Sequence, residues 1–242
     1  MTLETDEVHV WRASLNPGQS DIEKFLRTLA QDERIRADRF YFQEDREHFI
    51  TARGVLRAVL GEYLQIDPVR LRFEYGSYGK PKLADEFRAG SFSFNVSHSH
   101  GLAVYAVSSG REVGVDVEWI RSGFADEKIA ERFFSPQEVC ALRSLPRSRQ
   151  DEAFFNCWTR KEAYIKAKGE GVSIPLHLFN VSLIPGEPAA LLSVRGDPQE
   201  SSRWSLRDLF PGTNYVGALA ANGQAWRLKC WQWPECFAIP IV

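Results

Sequence analysis

A chain of 242 residues with 44% hydrophobic and 26% charged side chains, 17 glycines and 12 prolines has the composition of a folded globular protein, which excludes disordered, collagen-like and fibrous classes. Thirty basic against 32 acidic residues leave a formal charge of -2, so neither bulk nucleic-acid binding nor membrane-surface binding is expected and any anion site must be local. The length suits one large domain or two small ones. No run approaches the roughly 20 apolar residues that span a bilayer, and the opening MTLETDEVHVWR holds no apolar signal core, so a cytoplasmic location is expected. Cys140, Cys157, Cys230 and Cys236 fall in no CxxC and near no histidine at zinc-ligand spacing, and they read as reduced thiols.

Ser20-Asp21-Ile22-Glu23 has a capping-box pattern, and Ile22, Phe25, Leu26 and Leu29 follow at helical spacing, which predicts a first helix. A second helical pattern covers about 44–64 and ends before Asp67-Pro68. Arg53 falls inside its apolar arc, between Leu60 and Leu64, where a guanidinium needs to snorkel out, pair with a core carboxylate or meet a phosphate. Stretches 69–75, 91–97, 102–108 and 113–119 read as strands separated by turn residues. Ser135-Pro136-Gln137-Glu138 opens a helix, and a longer one is predicted over about 151–168, stopping at Gly169. Strands are expected at 179–183, 190–194, 203–209, 215–221 and 225–231. Helices followed by strands, twice over, predict an α+β fold of two halves of similar plan, residues 1–120 and 121–242, joined near 119–124.

In Val113-Gly114-Val115-Asp116-Val117-Glu118 a strand buries the valines on one face and sets both carboxylates side by side on the other. That pair reads either as a solvated polar face or as two ligands for one hard divalent ion. Glu162 lies on the flank of the later helix, with Lys166 one turn on; the two form either an ordinary i to i+4 surface pair or part of a site. Lys80 is held up by the Gly79–Pro81 turn, and Ser97-His98-Ser99-His100 clusters hydroxyls and imidazoles where a strand turns; both look like phosphate handles. His98 and His100 lack a nearby third nitrogen or sulfur ligand for a transition metal.

FNVSHSH (94–100), GVDVE (114–118) and WTRKEAYIKAKGEG (158–171), in that order, together with RFYFQED (39–45), YGKPKL (78–83) and FFSPQE (133–138), resemble the 4′-phosphopantetheinyl transferases of surfactin-synthetase type. The resemblance implies magnesium-dependent transfer of phosphopantetheine from coenzyme A to a serine of an acyl, peptidyl or aryl carrier protein domain, with release of 3′,5′-ADP. It also implies a monomer whose two halves are related by a pseudo-twofold, with coenzyme A in the cleft between them. Carried over by position, Asp116, Glu118 and Glu162 are the metal-site acids. Lys166 faces the scissile phosphates, and Glu162 deprotonates the serine directly or through a metal-bound water. Arg36, Arg53, Lys80, Ser97 and His98 are expected on coenzyme A, Arg53 toward its ribose 3′-phosphate; Arg34 and Arg36 stand where relatives often carry lysines. The rival expectation is a binding module of the same fold that has lost turnover.

Overall fold

The computed structural model describes residues 1–76, 79–87, 92–124, 127–169 and 174–234. Tyr78, Ser91, Glu170, Gly171 and Cys236, which the sequence reading also touched, lie outside these. The order is β1 (Glu7–Ser14), α1 (Gln19–Thr28), α2 (Gln31–Ala37), α3 (Gln43–Leu64), β2 (Phe73–Tyr75), β3 (Pro81–Leu83), β4 (Phe92–Ser99) and β5 (Leu102–Ser109). There follow β6 (Val113–Trp119), α4 (Glu127–Phe133), α5 (Pro136–Ser144), α6 (Arg147–Lys168), β7 (Phe179–Val181), β8 (Leu191–Val194), α7 (Glu200–Arg203), β9 (Trp204–Leu209), β10 (Tyr215–Asn222) and β11 (Arg227–Gln232). Among the described residues no helix is long and apolar enough to cross a membrane.

The element order repeats. A strand, three helices ending in one of 22 residues, a short hairpin and two antiparallel strands occur as β1 to β5 and again, with α7 added, as β6 to β10. The sheets are β11-β1-β5-β4 and β6-β10-β9. By hydrogen bonding β6 therefore opens the second run, whereas a join near 119–124 would leave it in the first; β11 returns to lie parallel on β1. Side chains pack in four layers: α3 on the first sheet through Val55, Leu56, Val59, Trp11 and Tyr105; sheet on sheet through Val8, Val10, Val104, Val113, Val115 and Leu219; and α6 on the second sheet through Phe154, Ile165, Ala218 and Leu206. Apolar contact over these faces is the main source of stability.

Each long helix is also anchored by a buried ion pair. In α3, Arg57 bonds the carboxylate of Glu33 (Nε to Oε2, 2.7 Å) and the carbonyls of Pro68 and Leu71 at 2.8 and 2.9 Å, while Glu33 accepts the Ala30 amide that starts α2. In α6, Lys161 lies 2.8 Å from Glu138 and donates to the carbonyls of Leu176 and Phe179 at 2.8 and 2.6 Å, while Glu138 accepts the Ser135 amide that starts α5.

Several expectations are met within a residue or two: α3, the end of α6 with its left-handed cap at Gly169, the Ser135 cap of α5, and β4, β5, β6 and β10; α6 starts four residues earlier than expected, at Arg147. Others are corrected. Gly18 caps α1, so Ser20 lies inside the helix. The expected strand 69–75 is a single helical turn at Pro68–Arg70 followed by the short β2. Strand β1 and helices α2 and α4 were not anticipated. Cys140, Cys157 and Cys230 are free thiols, in line with the reduced reading.

Candidate active site

The site forms where α6 lies on β6. Gly114 makes this approach possible: a Cβ there would stand 2.2 Å from both the Ala163 carbonyl oxygen and the Ala167 nitrogen. Val113, Val115 and Val117 face the sheet-on-sheet core, so Asp116 and Glu118 project to the opposite face, as the alternation predicts. That face is covered by protein. Asp116 is 3% exposed, which removes the reading of a solvated polar strand face.

Strand β4 closes the other side. It belongs to the first sheet and β6 to the second, so side chains stitch them together: Asn95 Oδ1 accepts from the Val115 amide (2.9 Å), Ser97 Oγ donates to Asp116 Oδ1 (2.8 Å), and Ser99 Oγ donates to Glu118 Oε2 (2.9 Å) while accepting from the Trp119 amide (3.2 Å). The sequence reading treated Ser97 as a ligand contact and gave Asn95 and Ser99 no role. Their i, i+2 spacing with Ser97 on one strand face was the available signal.

From α6, Lys166 Nζ reaches Asp116 Oδ1 at 2.6 Å and Ser97 Oγ at 3.0 Å. Its ion pair is thus with the strand acid, where the sequence left open an i to i+4 pair with Glu162. The second carboxylate oxygen of Asp116, Oδ2, is buried with no hydrogen-bond partner. Burial, and then the charge of Asp116, raise the carboxyls of both Glu118 and Glu162 above the ordinary range, with Lys166 opposing. Three carboxylates thus share a region of negative potential around one unsatisfied buried oxygen, an environment that a hard cation stabilises. Among the described residues no three ligating side chains converge closely enough to form a finished metal cage.

His98, exposed on β4, is held below the usual imidazole range first by desolvation and then by Lys166, His48 and Arg36. His100 has a left-handed backbone (φ 46°), stacks on Trp119 with ring centres 4.8 Å apart, and accepts the Tyr215 hydroxyl at its carbonyl (2.6 Å).

Of the first half's cations, Arg36 lines a cavity of about 710 Å³ with Arg39, Phe40, Tyr75, Asp32 and Glu33, its guanidinium over the Phe49 ring. Arg53 is 10% exposed, with Nε 3.3 Å from Glu33 Oε1 and its guanidinium near the rings of Phe49, Phe73 and Tyr75. Of the partners left open for Arg53, the structure shows the core carboxylate, and that carboxylate is shared with Arg57. Lys80 donates to the carbonyls of Lys166 (2.7 Å) and Val113 (3.3 Å).

Residues 112–220 match the family described as the 4′-phosphopantetheinyl transferase superfamily, and residues 13–110 match 4′-phosphopantetheinyl transferase, N-terminal. The two matched regions meet at the turn between β5 and β6, where the element order repeats. The chain is 43% identical over 233 residues to the 4′-phosphopantetheinyl transferase HetI of Nostoc sp., covering 96% of this chain and 95% of that one. It is 33% identical over 165 residues to the 4′-phosphopantetheinyl transferase Sfp of Bacillus subtilis, covering 68% and 71%. Among solved structures it is similar to a Chronobacterium ammoniagenes ACPS–CoA complex, with 23% identity, a TM-score of 0.37, and coverage of 49% of this chain and 100% of that one. With a relative matched over nearly its whole length, and with the acids and lysine of the resemblance gathered at the seam of β4, β6 and α6, the chain belongs to the 4′-phosphopantetheinyl transferase family.

Proposed function

We propose that this chain moves the 4′-phosphopantetheine group of coenzyme A onto a serine hydroxyl of an acyl, peptidyl or aryl carrier protein, and does so as a cytoplasmic monomer with magnesium. The new bond joins the serine oxygen to phosphorus; the bond that breaks releases 3′,5′-ADP. The observation that carries this reading is Asp116, buried at the seam of β4, β6 and α6, with one oxygen on Ser97 and Lys166 and the other unsatisfied.

Oxygen donors and an unsatisfied carboxylate fit magnesium, which accepts a few carboxylates and completes its shell with water and phosphate oxygens. Asp116, Glu118 and Glu162 would hold it, and the ion when bound would withdraw charge from the phosphorus under attack. The chain's own groups supply the rest. Glu162, whose carboxyl is raised by burial and by Asp116, is suited to take the serine proton. Lys166 offers an ammonium to the departing phosphate, which competes with Asp116 for it. The cavity bearing Arg36, Arg39, Phe40 and Tyr75 suits a nucleotide: cations for phosphate and aromatic faces for a base. On this reading Ser97, bonded to Asp116 and Lys166, and His98, which feels the charges of Lys166 and Arg36, are contacts for coenzyme A.

The test is to incubate the protein with an apo carrier, coenzyme A and magnesium, and to weigh the carrier. Addition of one phosphopantetheine supports the reading. Binding of coenzyme A and carrier with no gain of mass identifies a binding module instead.

A further inference from the structure

Lys80 stands one residue before β3, in the first half, yet its ammonium lies between two elements of the second. Nζ donates to the Lys166 carbonyl at 2.7 Å and to the Val113 carbonyl at 3.3 Å, with the Glu112 carboxylate 3.8 Å away. Its Cδ would touch a Cβ built on Gly169, the left-handed residue that ends α6, at 3.9 Å. The carbonyl of Lys166 is one of the last four in α6, which have no amide partner within the helix, and a helix C-terminus carries partial negative charge. An ammonium with three donors can serve two such carbonyls at once. Burial holds this lysine below its ordinary pKa, a cost that those carbonyls and Glu112 offset.

Residue 166 is thereby held at both ends: its carbonyl by Lys80, its own ammonium by Asp116 and Ser97. Val113 opens the strand that carries Asp116 and Glu118. We infer that Lys80 is a positioning residue, which ties the last turn of α6 to the start of β6 and so sets where Lys166 and Glu162 stand relative to Asp116. This replaces the coenzyme A contact that the resemblance implies for it, and it rests on the reading of Asp116, Glu162 and Lys166 as the reaction centre.

The experiment measures kcat with coenzyme A and an apo carrier, and the coenzyme A dissociation constant by calorimetry, for wild type, Lys80→Met, Lys80→Gln and Lys80→Arg. Expected for Lys80→Met is a tenfold or greater loss of kcat with the dissociation constant within threefold of wild type. Lys80→Arg should recover most of the rate, because a guanidinium also serves two carbonyls. Amide exchange should quicken at 113–115 and 166–169 in Lys80→Met and return to wild type in Lys80→Arg. A tenfold weakening of coenzyme A, with or without a change in kcat, would make Lys80 a ligand contact and overturn the inference, as would a Lys80→Met enzyme with wild-type kcat. If Lys80→Met does not fold, Lys80→Gln is judged by the same limits. Lys166→Met runs alongside: wild-type turnover there would remove the reaction-centre reading itself, whatever Lys80 does.

Discussion

The two halves carry the same anchor and different chemistry. Counted from the first residue of each long helix, Gln43 and Arg147, Arg57 and Lys161 occupy the same place. Each is buried, each pairs with a glutamate that also starts the preceding helix, and each closes on two carbonyls of the segment that follows. The halves part company off this anchor. The place of Arg53 in α3 is taken by Cys157 in α6, while the places of Glu162 and Lys166 in α6 are taken by Ala58 and Glu62 in α3. A buried ion pair at the anchor leaves little freedom for change, because losing one partner strands a charge in the core. Positions off this anchor carry no such paired charge and are free to diverge. On the proposed function, the first half keeps the cations that meet a nucleotide and the second the acids that meet a metal.

The largest effect expected is on Asp116. Asp116→Ala should remove nearly all transfer activity in a folded protein, and magnesium should raise the melting temperature of wild type while leaving the variant unmoved. Retention of more than about a tenth of wild-type turnover at saturating magnesium, under ~1.4 kcal/mol of barrier, would separate this acid from the reaction. Next come Glu162→Gln and Lys166→Met, each expected to lower turnover roughly a hundredfold with modest change in apparent affinity, as for groups that act in the transition state. The corresponding changes in the first half, Ala58→Gln and Glu62→Met, should leave turnover near wild type. A loss there comparable to the loss in α6 would break the division of labour between the halves.

Both anchors should matter, but not equally. Lys161→Met strands the buried Glu138 and should cost roughly 3–5 kcal/mol, read by denaturant unfolding, whereas Arg57→Met leaves Arg53 beside Glu33 at 3.3 Å and should cost less. A cost confined to one helix would show that only that pair holds its half together. A smaller, pH-dependent effect separates Glu162 from Glu7, a buried and paired acid of β1. Glu162 has its carboxyl raised in the folded chain, so between the ordinary carboxylate pKa near 4.3 and the raised value the folded state holds a proton that the unfolded state has lost. Stability without metal therefore falls as pH rises through that window. Glu162→Gln should be more stable than wild type at pH 7, by a margin that shrinks as pH is lowered toward about 4. Glu7, paired with Lys229 and His9 and held at about 2, has the opposite sign: its contribution is present above about 4.3 and is lost as pH falls toward 2. A Glu162→Gln margin that grew on acidification would reverse the sign of the electrostatic reading.

The elements that one pattern describes were legible. Strand β6 alternates strictly, α6 ends on a glycine, and Ser135-Pro136 starts α5 with both a cap and a fixed φ. Strand β1 was not legible, because it is buried on both faces: α3 covers one and the second sheet the other, and Glu7 and His9 are buried alongside Val8 and Val10. Glu7-Val8-His9-Val10 does alternate, but Trp11 breaks the pattern, and the face that Glu7 and His9 share with Trp11 reads as solvent-facing although it is buried. Spacing likewise places Asp116 and Glu118 on one face, but whether that face meets water depends on α6 settling over Gly114, a contact between residues far apart in the chain. The direction of Lys80 was hidden for the same reason, since a lysine before a short strand is ordinarily a solvated loop charge. Arg53 was legible as an anomaly of helix phase; its partner Glu33, on a short helix with an alanine at its cap, was not.

The smallest expected effect is at Arg53. Arg57 answers the charge of Glu33 at 2.7 Å, so Arg53, at 3.3 Å from the other oxygen, is the surplus cation of that trio. It lies beneath Tyr75, at the edge of the cavity that Arg36 and Arg39 line. If a ribose 3′-phosphate enters that cavity, Arg36 can meet it directly, a charge-assisted contact worth ~1.5–3 kcal/mol. Arg53 acts from underneath: at an effective dielectric of about 20 and a separation of about 10 Å, two unit charges interact by roughly 1.7 kcal/mol before any screening. Wild type should prefer coenzyme A to 3′-dephospho-coenzyme A. Arg36→Ala should reduce that preference by roughly 10- to 150-fold, and Arg53→Ala by less than about 20-fold, both read as dissociation constants by calorimetry. Arg53→Ala should change folding stability little, because Glu33 keeps Arg57. A larger loss of preference at Arg53 than at Arg36 would mean that Arg53 leaves Glu33 to bind the phosphate itself. An unchanged preference in both variants would place the 3′-phosphate away from this cavity and end the assignment of the nucleotide to the first half.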